Sequence, residues 1–117
     1  MRNPIQVNAQ IVNQELAIIN LAGDLTTQAE KAVSAAYQQV SAQNVSDIIL
    51  TFREDDYIDS AGLVVLIKVV TEARKRNQRL TMTVPSTHLQ RMLNLIGLNH
   101  FARIYKTLDE AVSGLKD

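Results

Sequence analysis

The chain has 117 residues, 46% of them hydrophobic, enough for one domain to bury a core without disulfide or metal staples. Lys plus Arg and Asp plus Glu stand at 12 each, so no net field draws the protein to nucleic acid or an anionic membrane. Cysteine is absent, which excludes disulfides, thiolate nucleophiles and Cys-ligated zinc and is compatible with a reducing cytosol.

Ile5, Val7, Ala9 and Ile11 alternate with polar residues, and a second apolar stretch, LAIINLAG, runs into Gly23. Together they predict two opening strands with no helix between them. Thr27 and Glu30 have capping-box spacing, and Ala29, Ala32, Val33, Ala36, Tyr37 and Val40 recur at helical spacing to about Gln43, predicting a first helix. DIILTF is a short continuous apolar run, the pattern of a central strand covered on both faces, and the polar REDDY follows it.

From Ser60 to about Asn77, Leu63, Leu66, Ile67, Val70 and Ala73 share one helical stripe, despite many β-branched neighbours. RLTMTV alternates as a strand and stops at Pro85. Ser86 then opens a short helix with Leu89, Met92, Leu93 and Ile96 inward and Gly97 as its stop. A last strand fits around Ala102 to Tyr105, and Thr107 with Glu110 caps a final helix through Leu115.

The order β-β-α-β-α-β-α-β-α predicts a single α/β domain over residues 1–117, with about four helices on a mixed, mostly parallel sheet. The doubled opening strand separates it from doubly wound domains that alternate from their first strand. MRNPIQVNAQ has no apolar signal segment, and the longest apolar run, Leu63 to Ile67, falls far short of the ~20 residues that span a bilayer, so the chain reads as soluble and cytoplasmic.

The acidic residues Glu54, Asp55, Asp56 and Asp59 lack the pattern of a calcium loop and read as a solvated loop. Arg74, Lys75, Arg76 and Arg79 fall where a helix should end and complement its dipole. His88 and His100 have no zinc-ligand spacing, and nothing else calls for a cofactor. Ser60, in YIDSAGL, lacks the glycine two places earlier that a nucleophile elbow requires, because Ile58 stands there, so no enzyme is expected. It reads as a helix cap, worth about 1 kcal/mol, while the small pair Ala61-Gly62 leaves the hydroxyl and first-turn backbone open to another molecule. Val65 and Val69 lie beside the main stripe and are expected to pack under a neighbouring helix.

The segment YIDSAGLVVL, preceded by DIILTF and followed by RLTMTVPS, THLQRMLNLIGL and LDEAV, resembles the STAS domain of bacterial anti-sigma factor antagonists, and LAGDL at 21–25 extends the likeness. The resemblance implies a non-enzymatic, partner-switching regulator of transcription. The unphosphorylated form binds an anti-sigma factor that is also a serine kinase and frees a sigma factor; phosphorylation of the serine after the motif aspartate ends the binding, and a phosphoserine phosphatase restores it. Here that serine is Ser60 and the aspartate Asp59. The implied partner surface comprises Asp24, Thr26, Asp56, Asp59, Ala61, Gly62 and Leu63, on a monomer or weak dimer with no nucleic-acid or membrane partner. Three positions depart from the family pattern: Thr26 replaces an acid, Thr51 an Asp or Asn, and Asp55 an apolar residue. The rival reading is a STAS subunit that assembles constitutively into a transporter or signalling complex, with Ser60 only a cap.

Overall fold

The structure, a computed structural model, describes residues 4–54 and 56–116. Its strands are β1 (Gln6–Ile11), β2 (Leu16–Ala22), β3 (Asp47–Thr51), β4 (Arg79–Thr83) and β5 (Arg103–Tyr105). The helices are α1 (Glu30–Ser41), α2 (Ser60–Lys75), α3 (Thr87–Leu95) and α4 (Leu108–Gly114), with 3₁₀ turns at Thr27–Ala29 and Leu98–His100. β1 pairs antiparallel with β2, and β2 to β5 run parallel in chain order, giving the expected mixed sheet with β3 at its centre. No helix is long and apolar enough to cross a membrane among the described residues.

Strand order that never reverses keeps successive crossovers on one side of the sheet. Ala9, Ile19, Leu50, Met82 and Ile104 align in register across that face. Val33 and Tyr37 of α1, Leu66 and Val70 of α2 and Leu89 and Leu93 of α3 belong to the same apolar cluster. The opposite face carries a smaller cluster in which Ala111 of α4 meets Leu16, Ile18 and Ile49. Because the order never reverses, the sheet has no switch point, the feature that opens a ligand crevice in doubly wound folds. The candidate site lies instead on the rim of loops at the carboxyl ends of the parallel strands.

Local signals decide several boundaries. Ser86 accepts the Leu89 N–H at 3.1 Å and caps α3, and Thr107 with Glu110 forms the full capping box of α4. Gly97 stops α3 with φ 84°, where a side chain would be strained. The Thr27–Glu30 capping box does not form. Thr27 lies inside the 3₁₀ turn and α1 starts only at Glu30; of the expected stripe, Ala32 is exposed.

The α2 stripe is also shifted. Its buried residues are Gly62, Val65, Leu66, Val69, Val70 and Ala73, so Val65 and Val69 pack inward as expected, but Ile67 is exposed and Leu63 half-buried. With apolar residues nearly all round α2, two overlapping stripes satisfy the helical period, and only the neighbouring elements select one. Ile96 likewise ends up exposed, because α3 closes at Leu95 before its next inward turn.

Arg74 and Lys75 occupy the last turn of α2 as expected. Arg79 instead opens β4, where its guanidinium binds Asp47 across the sheet at 2.6 and 3.2 Å; this pairing raises its pKa further above the ordinary value. Arg76 spans the two helices, bonding Glu72 at 3.2 Å and Gln38 at 3.0 Å.

The ends of α1 and α2 are tied by Tyr37, whose buried hydroxyl donates to Gln78 Oε1 at 2.6 Å while Gln78 Nε2 donates to Ser41 Oγ at 3.2 Å. Burial lifts the Tyr37 phenol above its ordinary 10.0. An acid whose folded pKa is raised contributes stability that is complete below the unfolded value and is lost as pH rises through the folded one. Tyr37→Phe should therefore cost about 1 kcal/mol at neutral pH through the lost hydrogen bond. The gap should close as pH rises above about 10, where the wild type alone must keep this phenol protonated. Urea midpoints at pH 8 and pH 11 measure both effects; a gap that widens with pH would contradict the assignment.

Candidate functional site

Two loops at the carboxyl ends of β2 and β3 are joined by backbone. The Leu25 N–H donates to the Tyr57 carbonyl at 2.7 Å, the Asp59 N–H donates to the Leu25 carbonyl at 3.3 Å, and Leu25 and Ile58 form an isolated parallel bridge. Leu25 and Ile58 are both buried, so the bridge continues the sheet for one more rung under α2. In this parallel bridge Thr26 falls level with Asp59, just before the start of α2, and Asp24 falls level with Tyr57.

Asp56 holds this junction from beneath. Its side chain is only 2% exposed; Oδ1 accepts the Gly23 N–H at 3.0 Å and Oδ2 accepts the Arg53 N–H at 2.8 Å. Arg53 Nε adds an ion pair at 3.3 Å. The expectation of a solvated acidic loop fails here: Glu54 is exposed, but Asp56 is the internal brace of the loop. Asp55 lies outside the described residues. As a partner-facing residue Asp56 is poorly placed, because its oxygens already serve backbone donors.

The cap of α2 is Asp59, not Ser60. Asp59 has extended backbone, φ −98° and ψ −177°, and its Oδ1 accepts the Gly62 N–H at 2.8 Å; its carbonyl accepts the Leu63 N–H at 3.0 Å. Either residue of the D-S pair can cap, and the Asp59 bond to the loop fixes the choice. Ser60 becomes the first helical residue, exposed, with no hydrogen bond to its hydroxyl among the described residues. The N–H groups of Ser60 and Ala61 are the first-turn donors that a helix leaves open.

Gly62 has a different role from the one its sequence suggests. It is buried, and a Cβ there would overlap the Leu25 carbonyl oxygen and come within 3.2 Å of Ile58 Cγ2. The missing side chain is filled by the adjoining loop, so Gly62 sets how closely α2 approaches Leu25. Ala61 and Leu63 stay half-buried beside it. Thr51 donates to Asn20 Oδ1 at 2.6 Å, joining the polar ends of β2 and β3 below the loops.

Thr26 and Asp59 thus lie level across the bridge, with Ser60, Ala61 and Leu63 following at the start of α2 and Asp24 on the same loop as Thr26, while Asp56 and Gly62 lie beneath. The residues that sequence reasoning missed are Leu25 and Ile58, whose bridge carries no local signal beyond being apolar. His88 and His100 are exposed on separate elements. Among the described residues no three His, Cys, Asp or Glu side chains gather as metal ligands.

The architecture defines a small mixed α/β domain with an uninterrupted sheet, whose distinctive surface is two stitched loops around an exposed serine at a helix N-terminus. Residues 10–108 match the family model described as "Mlab, STAS domain". The chain belongs to the STAS domain family. No curated protein matches it. Among solved structures it is similar to an anti-sigma factor antagonist from Mycobacterium paratuberculosis, at 20% identity and TM-score 0.76, covering 97% of this chain and 96% of that one. It is similar to the anti-sigma factor antagonist SpoIIAA in its unphosphorylated form, at 22% identity and TM-score 0.69, covering 95% and 96%. The Bacillus cell fate determinant SpoIIAA in the phosphorylated form matches at 22% identity and TM-score 0.61, covering 94% and 99%. At these identities the likeness is one of fold.

Proposed function

We propose that this protein is a non-enzymatic anti-sigma factor antagonist switched by phosphorylation of Ser60. In this reading the bare form binds an anti-sigma factor that is also a serine kinase and so frees a sigma factor; the phosphorylated form lets it go, and a phosphoserine phosphatase resets the switch. The protein acts in the bacterial cytoplasm as one domain, a monomer or weak dimer. The observation that carries the reading is the division of labour at α2: Asp59 does the capping, so the exposed Ser60 hydroxyl has no structural duty. Solved forms of SpoIIAA, unphosphorylated and phosphorylated, support it by analogy.

The physics suits a switch. A phosphoryl group adds about −1.5 to −2 charge, and the open N–H groups and dipole of the first turn accommodate an anion without unfolding the helix. The same charge sits beside Asp59 and near Asp24, so a partner surface fitted to a neutral hydroxyl meets a concentrated negative patch. A loss of about 3 kcal/mol there weakens binding more than a hundredfold. Asp24, Thr26, Asp59, Ala61 and Leu63 form the contact, held in place by Asp56 and Gly62.

Incubation with serine-kinase anti-sigma factors from the same genome and ATP, followed by intact mass, should show one added phosphoryl group that Ser60→Ala abolishes. Ser60→Asp should bind that partner at least about tenfold more weakly, and the phosphorylated protein more than about a hundredfold. If no such kinase modifies the chain and Ser60→Asp binds as well as wild type, the switch is excluded. A second reading, a STAS subunit assembled constitutively into a transporter or signalling complex, draws on Thr26 in place of the family's acid. It predicts a partner retained equally by wild type and Ser60→Asp.

A further inference from the structure

A groove of about 350 Å³ lies between α2 and the turn that follows α3. Val70 and Leu98 are its buried members, while Ile67, Ile96 and Phe101 around them are 44%, 45% and 49% exposed. Three large apolar side chains held half in water around one concavity work against the hydrophobic effect, and such contiguous patches mark interaction surfaces.

The charges at the groove select the occupant. Among the described residues lining it the charged ones are Arg74 and Lys75, both cationic. Arg74 is positioned there by its guanidinium, 4.6 Å from the centre of the Phe101 ring. Glu72, the nearby acid of α2, is turned to Arg76 at 3.2 Å and lines a different groove, against α1. A second copy of the chain docking through this face would bring Arg74 and Lys75 towards their own equivalents, since a two-fold contact is self-complementary. A balanced net charge gives no pull towards an anionic membrane.

We propose that this groove docks an amphipathic helix of a partner protein, its apolar face seated on Ile67, Ile96 and Phe101 and an acidic flank against Arg74 and Lys75. This is the helix-in-groove mode of recognition. The inference is independent of the Ser60 switch: at about 1.5 Å per residue, Arg74 lies roughly 20 Å along α2 from Ser60, beyond the reach of screened charge.

The probe is a labelled synthetic helical peptide with leucines on one face and glutamates elsewhere, compared with a twin carrying lysine for every glutamate. The acidic peptide should bind with a Kd below about 100 μM, and the lysine twin at least about tenfold more weakly. Amide chemical shifts should move around Ile67, Arg74, Ile96 and Phe101. Phe101→Ser and Arg74→Glu, both at exposed positions and so compatible with folding, should each weaken binding at least about tenfold, and Ser60→Asp should leave it unchanged. Equal binding of the two peptides, no binding at millimolar concentration, or shifts centred elsewhere would overturn the proposal. So would self-association of the protein that Phe101→Ser abolishes, or sedimentation with phosphatidylserine vesicles through this face.

Discussion

Gly62→Ala is expected to destabilise the protein by about 3 kcal/mol, a large share of the roughly 5–15 kcal/mol that holds a domain of this size together. Alanine is the better helix former by up to about 1 kcal/mol, so on propensity alone the change should help. The added methyl, however, would overlap the Leu25 carbonyl oxygen. Overpacking a yielding core costs about 1–3 kcal/mol because side chains shift aside. Here the obstacle is backbone, and that backbone is committed: Leu25 accepts from Asp59, donates to Tyr57 and bridges Ile58. Relief requires α2 to move off the loop, which breaks the Asp59 bond to Leu25 and displaces the start of α2 from the loop that carries Thr26. Chemical denaturation should show the lowered midpoint, and any kinase that modifies Ser60 should do so more slowly on the variant. A midpoint equal to or above wild type would mean that α2 has room to retreat and that Gly62 is not a spacing residue.

The elements legible in the sequence are those fixed by neighbours a few positions away. Ser86, Gly97 and the Thr107–Glu110 pair mark helix ends because capping is settled within one turn. The alternation of β1 and the continuous run of β3 reveal their faces because the period of a strand is local. The doubled opening strand announced the antiparallel edge for the same reason. Long-range choices were not legible. Ile67 and Val65 are interchangeable in an all-apolar stretch until α1 and the sheet claim one side of α2. Asp56 looks like its neighbour Glu54 until the fold brings the Gly23 N–H to it from 33 positions away. Asp59 and Ser60 are both competent caps, and only the bond from Asp59 to Leu25 decides which residue is left with an unused hydroxyl. The residues named for the candidate site therefore fall in one neighbourhood, while the division between surface and support within it depended on contacts with no sequence period.

Asp56→Ala is expected to cost about 3 kcal/mol, in line with hydrogen bonds to a charged group at about 1.5–3 kcal/mol each, part of which water entering the loop would recover. Its carboxylate accepts the Gly23 N–H, and Gly23 is buried at a positive φ of 113° where few other residues could sit. Removing the carboxylate leaves that donor unpaired and frees Arg53 as well. Asp56→Asn keeps the shape but offers one acceptor oxygen and turns an amide donor towards the other N–H, so it should fall between alanine and wild type. The loop bearing Asp24 and Thr26 would then lose one of its tethers to the loop before α2, and faster amide exchange at Leu25 should report it before global unfolding does. The comparison also separates support from contact. A brace lowers the denaturation midpoint in both variants and weakens partner binding only in proportion to the opened loop. A residue that touches the partner would instead lose binding in Asp56→Asn with the midpoint unchanged, an outcome that would move Asp56 from beneath the surface onto it.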